Sequence, residues 1–296
     1  MGISREQALD CFKSDDLIGI GMEADAVRRQ LHPEGVVSYA MSHVVLLGCR
    51  GEEEVVAQTR SAEEMGATGV ALVGRIVGGL VESTRLIAGL RDQFPDLWLQ
   101  GFTAKQLTDL ATESDQSLQD ILATLRDAGL NSIGETAAAI PSETWANVHR
   151  AAHTLGMRTS ARVVFGAGET FEVRLDQLET IRKLQEETGG FVALAPVSYH
   201  AEGGRELDET TAVEYLKTLA VARMYVDNIE NVEADWTTQG LKVLQMGLRF
   251  GANDVGAVQV ERTKGATEEE LRRVIRDAGF RPAQREMGYR AMMLNV

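Results

Sequence analysis

Cysteine is nearly absent from this 296-residue chain, which contains only Cys11 and Cys49. Two cysteines exclude the disulfide framework of a small secreted protein, and the compartment we expect is the reducing cytoplasm. No apolar run is long enough for a signal peptide or a membrane-spanning helix. Only five prolines are scattered along the chain, and no low-complexity linker divides it. The sequence therefore predicts a single domain over residues 1–296.

Positive charge is also scarce. The chain has 30 Lys and Arg residues against 44 Asp and Glu residues, which gives a net charge of −14. An acidic surface repels phosphate backbones, so we expect neither nucleic acid nor a membrane as partner. We expect a small-molecule ligand instead, together with a homo-oligomer or a complex with a related protein.

Short apolar runs alternate with longer amphipathic stretches along the chain. The runs are apolar on both faces, which is typical of parallel strands covered on both sides. They lie at residues 43–48, 69–74, 97–102, 130–134, 159–166, 191–197, 232–236 and 254–260. This alternation predicts an α/β fold of the (β/α)8 TIM-barrel type. We expect capping helices over residues 1–40, the barrel core over 41–262, and a C-terminal helix and tail over 263–296. Thr267 and Glu270 predict a capping box in that helix.

The active face of such a barrel lies where the strands end. Tyr199, His200 and Glu202 follow the sixth predicted strand. A histidine beside a carboxylate is suited to acid–base catalysis or to ligand binding. We assign a catalytic role to His200 and substrate binding to Tyr199 and Glu202. A loop histidine without a role is the alternative.

Two further segments offer candidate residues. Glu169 follows the fifth predicted strand and two glycines, Gly166 and Gly168, that allow a ligand to approach the backbone closely, and it is the second catalytic candidate. The alternative is that Glu169 or Thr170 caps the next helix. Asn253 and Asp254 lie near the last predicted strand and are candidates for substrate binding, although a turn stabilised by Asn and Asp is an alternative.

Other residues at or near strand ends are candidates for lining the pocket: Arg75, Thr103, Glu135, Arg162 and Trp236. His149 and His153 have the i, i+4 spacing of a zinc site. They lie on an outer helix, and the sequence suggests no further ligand. We therefore expect a structural role for both histidines and no metal site.

Several stretches together resemble one family of radical-SAM enzymes, which comprises aminofutalosine synthase, dehypoxanthine futalosine cyclase and the deazaflavin (FO) synthase subunits. The resemblance is strongest in WANVHRAAHTLGMRTSARVVFGAGET (145–170) and LETIRKLQEETGGFVALAPVSYHAEG (178–203). It also covers residues 17–39, 94–107, 123–133, 219–240 and 250–256, in the family's order. Tyr199, His200, Trp236, Asn253 and Asp254 match family motifs.

The sequence departs from that family at its cofactor motifs. The family carries CxxxCxxC after the first strand, and three thiolates hold a [4Fe–4S] cluster there. Here the corresponding segment, SHVVLLGCRGEEEVV (42–56), contains only Cys49. Ala139 stands where the family has a carboxylate, and Ala167 replaces the histidine of its GHxET motif. We therefore expect no [4Fe–4S] cluster and no other cofactor, and the retained residues give little support for binding S-adenosylmethionine.

Two functions remain open. In the first, the chain serves menaquinone biosynthesis by the futalosine route. It would bind a chorismate- or futalosine-derived metabolite in the barrel mouth and act as a non-radical lyase or transferase. In the second, the chain is a pseudoenzyme, a non-catalytic partner of an iron–sulfur-bearing homologue. A wholly new non-radical activity on an unrelated substrate ranks behind these two.

Overall fold

A computed structural model describes residues 2–48, 51–75, 78–134, 142–199, 210–260, 266–289 and 292–294. The strands are β1 (Val36–Leu47), β2 (Gly69–Gly74), β3 (Trp98–Thr103), β4 (Ser132–Gly134), β5 (Thr159–Phe165), β6 (Phe191–Ser198), β7 (Asn231–Val232), β8 (Asp254–Gln259), β9 (Arg281–Arg285) and β10 (Met292–Leu294). The helices are α1 (Arg5–Lys13), α2 (Leu17–Leu31), α3 (Glu52–Glu64), α4 (Gly79–Gln93), α5 (Ala104–Ser114), α6 (Leu118–Asp127), α7 (Glu143–Thr154), α8 (Phe171–Thr188), α9 (Ala212–Tyr225), α10 (Trp236–Gly247) and α11 (Glu268–Asp277).

The first eight strands have the order of a (β/α)8 barrel. Parallel pairing gives β4–β3–β2–β1–β8 on one side and β5–β6–β7 on the other. A single parallel bridge between Glu233 and Asp254 joins the two sets at β7 and β8. Across the seam between β4 and β5, Ser132 Oγ donates to the Arg158 carbonyl at 2.7 Å, although no strand ladder joins these two strands in the described chain. The predicted barrel class is confirmed.

The helix starts follow from local capping chemistry. Thr267 Oγ1 accepts a hydrogen bond from the Glu270 amide, and the Glu270 carboxylate accepts one from the Thr267 amide, so the predicted capping box is present. Ser117 likewise caps α6. Such caps satisfy amides that have no partner within the helix. In the described parts of the chain, no helix combines the length and the apolarity needed to cross a lipid bilayer.

Both ends of the chain differ from the sequence-based expectation. The first strand begins at Val36, inside the segment expected to be helical, because its first five residues pair with β9. The C-terminal segment was expected to hold one helix and a tail, and it also forms β9 and β10. A strand partner this distant along the chain leaves no local signal in either segment.

The bottom of the barrel is closed by the turn after β9. The Met287 side chain packs where β2 begins, and a Cβ atom at Gly69 would lie only 2.6 Å from Met287 Cγ. A Cβ atom at Gly288 would lie 2.6 Å from the ring of Trp98, at the start of β3. The N-terminal helices pack mainly outside the barrel, α1 on α8 and α9, and α2 on α9. The C-terminal turn, rather than these helices, therefore forms the floor.

Candidate functional site

A cavity of about 390 Å³ runs through the inside of the barrel. Barrel interiors of this type are ordinarily filled by bulky branched side chains. Here many of the side chains that line the cavity are small, and they leave the interior hollow: Ser42, Ala71, Ser132, Ser160, Ala195 and Ala257. The cavity is therefore a direct consequence of small residues on the inward faces of the strands.

A network of charged and polar side chains occupies the floor of this cavity; we call it the floor network and define it as Ser38, Glu233, Asp254, Arg285 and Tyr289. Asp254 is fully buried and accepts two hydrogen bonds from Arg285, at 2.6 and 2.8 Å. Ser38 Oγ also donates to Asp254. Arg285 Nη2 donates to the Tyr289 hydroxyl at 2.8 Å, and that hydroxyl donates to Glu233 Oε1 at 2.6 Å.

Burial and neighbouring charges shift the ionisation of this network. Burial lowers the pKa of Arg285, but the adjacent carboxylate of Asp254 outweighs it, and the net shift is upward. Burial first and Asp254 second raise the pKa of Glu233, while Arg285 and Arg162 oppose that rise. The raised pKa of Arg285 keeps its guanidinium charged beside Asp254, whereas the raised pKa of Glu233 makes the ionised form of that carboxyl less favourable.

A second buried network lies beside the first. Asn253 Oδ1 accepts from Arg223 Nη2 at 2.6 Å and from the Val232 amide at 2.9 Å. Asn253 Nδ2 donates to Asn231 Oδ1 at 2.9 Å. Burial, with a smaller contribution from Arg28, lowers the pKa of Arg223 to about 9. Asn253 thus fastens β7 and β8 to α9 at the bottom of the barrel.

Glu169 lies at the opposite end of the barrel, after β5. Its carboxylate accepts from the Gly166 amide at 2.9 Å, from the Ala167 amide at 2.9 Å and from Arg174 Nη2 at 2.6 Å. Burial raises the pKa of Glu169, but the hydrogen bonds from Gly166 and Arg174 outweigh it and the net shift is downward. Thr170 caps α8 through the Val173 amide. Glu169 is therefore an ionised group that shapes the loop.

The other predicted site residues fall into three groups. Arg162 and Trp236 line the cavity, and Trp236 Nε1 donates to the Val255 carbonyl at 3.1 Å. Thr103 caps α5 in a capping box with Gln106. The remaining residues lie at the strand ends or outside the described residues. Arg75 follows β2, Tyr199 follows β6 and its amide donates to the Phe165 carbonyl at 2.7 Å, while His200, Glu202 and Glu135 lie outside the described residues.

Among the described residues, only some of the predicted site residues therefore reach the cavity. Arg162 and Trp236 reach it directly, and Asp254 contacts it through Arg285. Sequence reasoning missed Glu233, Arg285 and Tyr289, which also line it. Glu233 directly follows a predicted strand start, whereas nothing local marks Arg285 and Tyr289.

His149 and His153 have the structural role that the sequence predicts. His149 Nδ1 and His153 Nε2 each lie 2.8 Å from Thr159 Oγ1, and His153 Nδ1 lies 2.6 Å from Thr188 Oγ1. Both rings pack against Phe191. Burial, with a smaller contribution from His149, lowers the pKa of His153 to about 3. The two histidines therefore anchor α7 to the barrel wall, and His153 does so in its neutral form.

Comparison with known proteins identifies the family. Residues 188–295 match the family model of the CofH/MqnC C-terminal region. The aminodeoxyfutalosine synthase of Streptomyces coelicolor is 30% identical, over 97% of this chain and 90% of that protein. The chain belongs to the radical-SAM family. The cyclic dehypoxanthine futalosine synthase of Halalkalibacterium halodurans is 27% identical, over 97% of this chain and 90% of that protein.

A solved structure supports the same fold. Methylornithine synthase superposes with a TM-score of 0.66 at 14% identity, covering 96% of this chain and 95% of that one. The alignment with the Streptomyces relative extends over 348 positions and the chain has 296 residues. That relative of the radical-SAM family therefore has segments without counterpart in this chain.

The residues present do not fit the iron–sulfur cluster of this family. Strand β1 ends at Leu47 and α3 begins at Glu52, so the connection is too short for an eight-residue CxxxCxxC motif. Cys49 belongs to that connection and lies outside the described residues. The other cysteine, Cys11, lies in α1 on the outside of the barrel. One thiolate cannot replace the three that such a cluster requires.

Proposed function

We propose that this chain is a cluster-free member of its family, which binds a chorismate- or futalosine-derived metabolite in the cytoplasm and acts on it as a non-radical lyase or transferase. The observation that carries the proposal is the hollow barrel, whose cavity is lined by both charged and aromatic side chains. Ligand pockets ordinarily combine an apolar wall with a few polar groups. The futalosine-pathway names of the relatives give the substrate class.

The donor set supports the absence of radical chemistry from this proposal. Reductive cleavage of S-adenosylmethionine requires a cluster with one open iron, and this chain offers one thiolate in the relevant connection. The ionisable groups that remain at the barrel suit proton transfer and charge stabilisation. Under this proposal His200 exchanges protons with the ligand, and Glu169, held by Arg174 at 2.6 Å, keeps the loop after β5 in place.

Calorimetric titration with pathway metabolites tests the proposal. The protein is titrated with aminodeoxyfutalosine, dehypoxanthine futalosine and the chorismate-derived acid. We expect one of them to bind in the micromolar range and His200→Ala to abolish turnover or binding. Lys183→Ala is the control, because Lys183 is exposed on α8 and forms an ion pair with Glu179 on the same helix. If none of the three metabolites binds, the substrate class is wrong; if His200→Ala matches the wild type, the role of His200 is wrong.

The alternative function is a non-catalytic partner of an iron–sulfur-bearing homologue. One observation favours it: Ile18 and Met22 lie one turn apart on α2 and are 74% and 67% exposed. Adjacent exposed apolar side chains are found at protein contacts. Native mass spectrometry of the protein from its own cells separates the two functions. A homomer carrying a small molecule supports the enzyme, and a complex with an iron–sulfur protein supports the partner.

A further inference from the structure

Among the residues that the structure describes, Arg162 is a cation inside the barrel without a hydrogen-bond or ion-pair partner. Its side chain lines the cavity from β5, at the middle of that strand. Two buried arginines near the cavity floor, Arg223 and Arg285, are instead held by carbonyl, amide or carboxylate oxygens. A guanidinium that lines a cavity without a counter-ion is suited to bind an anion.

Glu233 lies in the same row of the barrel wall as Arg162. The strand register pairs Arg162 with Ala195, and it pairs Leu194 with Val232, which places Glu233 beside Ala195. Arg162 and Glu233 are therefore two strands apart, about 9–10 Å between backbones. Only the methyl group of Ala195 stands between them. All three residues line the cavity, so the row leaves room for a ligand group between the cation and the carboxyl.

Burial and the surroundings of Glu233 make its ionised form less favourable than that of an exposed carboxyl. Asp254 from β8 repels its charge, Arg162 from β5 and Arg285 from β9 attract it, and Tyr289 donates to Oε1 at 2.6 Å. Tyr215 from α9 also faces it. The net result, with burial, is a raised pKa for Glu233. The second carboxyl oxygen can therefore carry the proton and donate it to a ligand.

The backbone of Tyr289 supports a functional role for this corner of the cavity. Tyr289 has a φ of 60°, a left-handed conformation that is an outlier for a bulky residue. Such strain persists where the surrounding structure enforces it, and it clusters at binding and active sites. Here the Tyr289 hydroxyl donates to Glu233 Oε1 at 2.6 Å, so the second carboxyl oxygen is not engaged by Tyr289.

We propose that Arg162 and Glu233 form a subsite for the carboxylate or phosphate group of a small ligand, and that Glu233 takes up one proton from solvent when the anion binds. With Glu233 ionised, the side chains of Arg162, Arg285, Asp254 and Glu233 sum to zero charge; protonation leaves one positive charge, which the anion neutralises. This subsite lies in the cavity of the proposed function, but it does not depend on which metabolite the chain uses.

Isothermal titration with benzoate and with inorganic phosphate tests the subsite. Titrations in two buffers of different ionisation enthalpy count the protons taken up. We expect at least one anion to bind the wild type, with proton uptake and with affinity that falls as pH rises. Binding of benzoate alone identifies a ligand carboxylate, and binding of phosphate alone identifies a phosphate. If neither binds, the proposal is overturned.

Three variants separate anion binding by Arg162 from proton uptake by Glu233. Arg162→Met should weaken binding by at least about tenfold, the loss expected for a charge-assisted contact, while Arg162→Lys retains most of it. Glu233→Gln should bind at least as tightly as the wild type, without proton uptake and without pH dependence. Arg29→Met, on the exposed face of α2, is the control. Unchanged binding in Arg162→Met, or unchanged proton uptake in Glu233→Gln, contradicts the proposal.

Because neither probe is a pathway metabolite, this result and that of the metabolite titration are independent. Anion binding without metabolite binding leaves the subsite and removes the proposed substrate class. Metabolite binding that is unaffected by Arg162→Met would support the proposed substrate class and would contradict the subsite at Arg162. Circular dichroism of each variant confirms that a loss of binding is not a loss of fold.

Discussion

The charged groups of the floor network and of the cavity wall differ in their hydrogen-bond and ion-pair partners. In the floor network Asp254 and Arg285 share two short hydrogen bonds, and further polar groups of the network bind both of them. On the wall, Arg162 faces the same cavity and has no partner in the described chain. A buried charge whose hydrogen bonds are complete has a structural role, whereas a partly buried charge without a described partner, such as Arg162, is available to a ligand.

The largest effect that this comparison predicts is on Asp254. Asp254→Asn removes the carboxylate that accepts two hydrogen bonds from Arg285 and leaves Arg285 with the longer ion pair to Glu233, at 3.5 Å. Removing one partner of a buried ion pair costs about 3–5 kcal/mol, and we expect the lower end of that range here. The free energy of unfolding from urea titration measures the loss. Asp176→Asn is the matched control, because Asp176 forms an exposed pair with Arg5; its loss should stay below about 1 kcal/mol. Similar losses in both variants would remove the structural role of the floor.

The neighbouring amide network should show a smaller loss. Asn253→Ala removes the acceptor for Arg223 and for the Val232 amide, and leaving such buried donors unpaired costs about 2–3 kcal/mol. The same urea titration applies. Asn228→Ala serves as control, since its side chain donates an exposed hydrogen bond to the Arg182 carbonyl. A variant as stable as the wild type would show that the Asn253 side chain does not hold β7 and β8 to α9.

His153 on α7 predicts how the stability of the protein depends on pH. The pKa of His153 is about 3 in the folded protein and about 6.5 in an unfolded chain. The unfolded state therefore binds more protons, and this contribution to stability is lost as pH falls from about 6.5 towards 3. Unfolding free energies at pH 7, 6, 5 and 4.5 should decline less steeply in His153→Gln than in the wild type, by about 2 kcal/mol in total. Parallel curves would contradict the neutral, structural role.

The smallest effect on stability should come from Arg162. Arg162→Met removes a charge without breaking a described hydrogen bond or ion pair, so the free energy of unfolding should change by less than about 1 kcal/mol. A loss of unfolding free energy as large as that of Asp254→Asn would show that Arg162 has a structural role. Stability retained together with lost anion binding would sharpen the contrast between wall and floor.

How far the sequence predicts this molecule depends on how local each signal is. Strands covered on both faces, such as residues 69–74 and 191–197, are apolar throughout and were located to within a residue. The capping box at Thr267 is equally local. In contrast, β9 exists because β1 pairs with it across the whole chain. Pairing of that kind has no signature in a window of sequence.

Prediction of the candidate site is limited in the same way, because contacts between residues distant along the chain leave no local signal. Asp254 and Asn253 match family motifs, but they stand at the start of β8 and so lie at the floor, opposite the end where barrel chemistry is expected. The direction of a parallel strand would have predicted this placement. Glu233 became a candidate only through the register of β6 and β7. Arg162 was predicted to line the pocket, but that it has no partner is a property of the folded chain.

The iron and acid-labile sulfide content after anaerobic reconstitution tests the central claim, a family barrel without the family's cluster. The protein is incubated with iron, sulfide and a thiol beside a relative that carries all three cysteines, and both are desalted and assayed. We predict less than about one iron per chain for this protein and about four for the relative. About four irons and four sulfides bound to this chain would contradict the account.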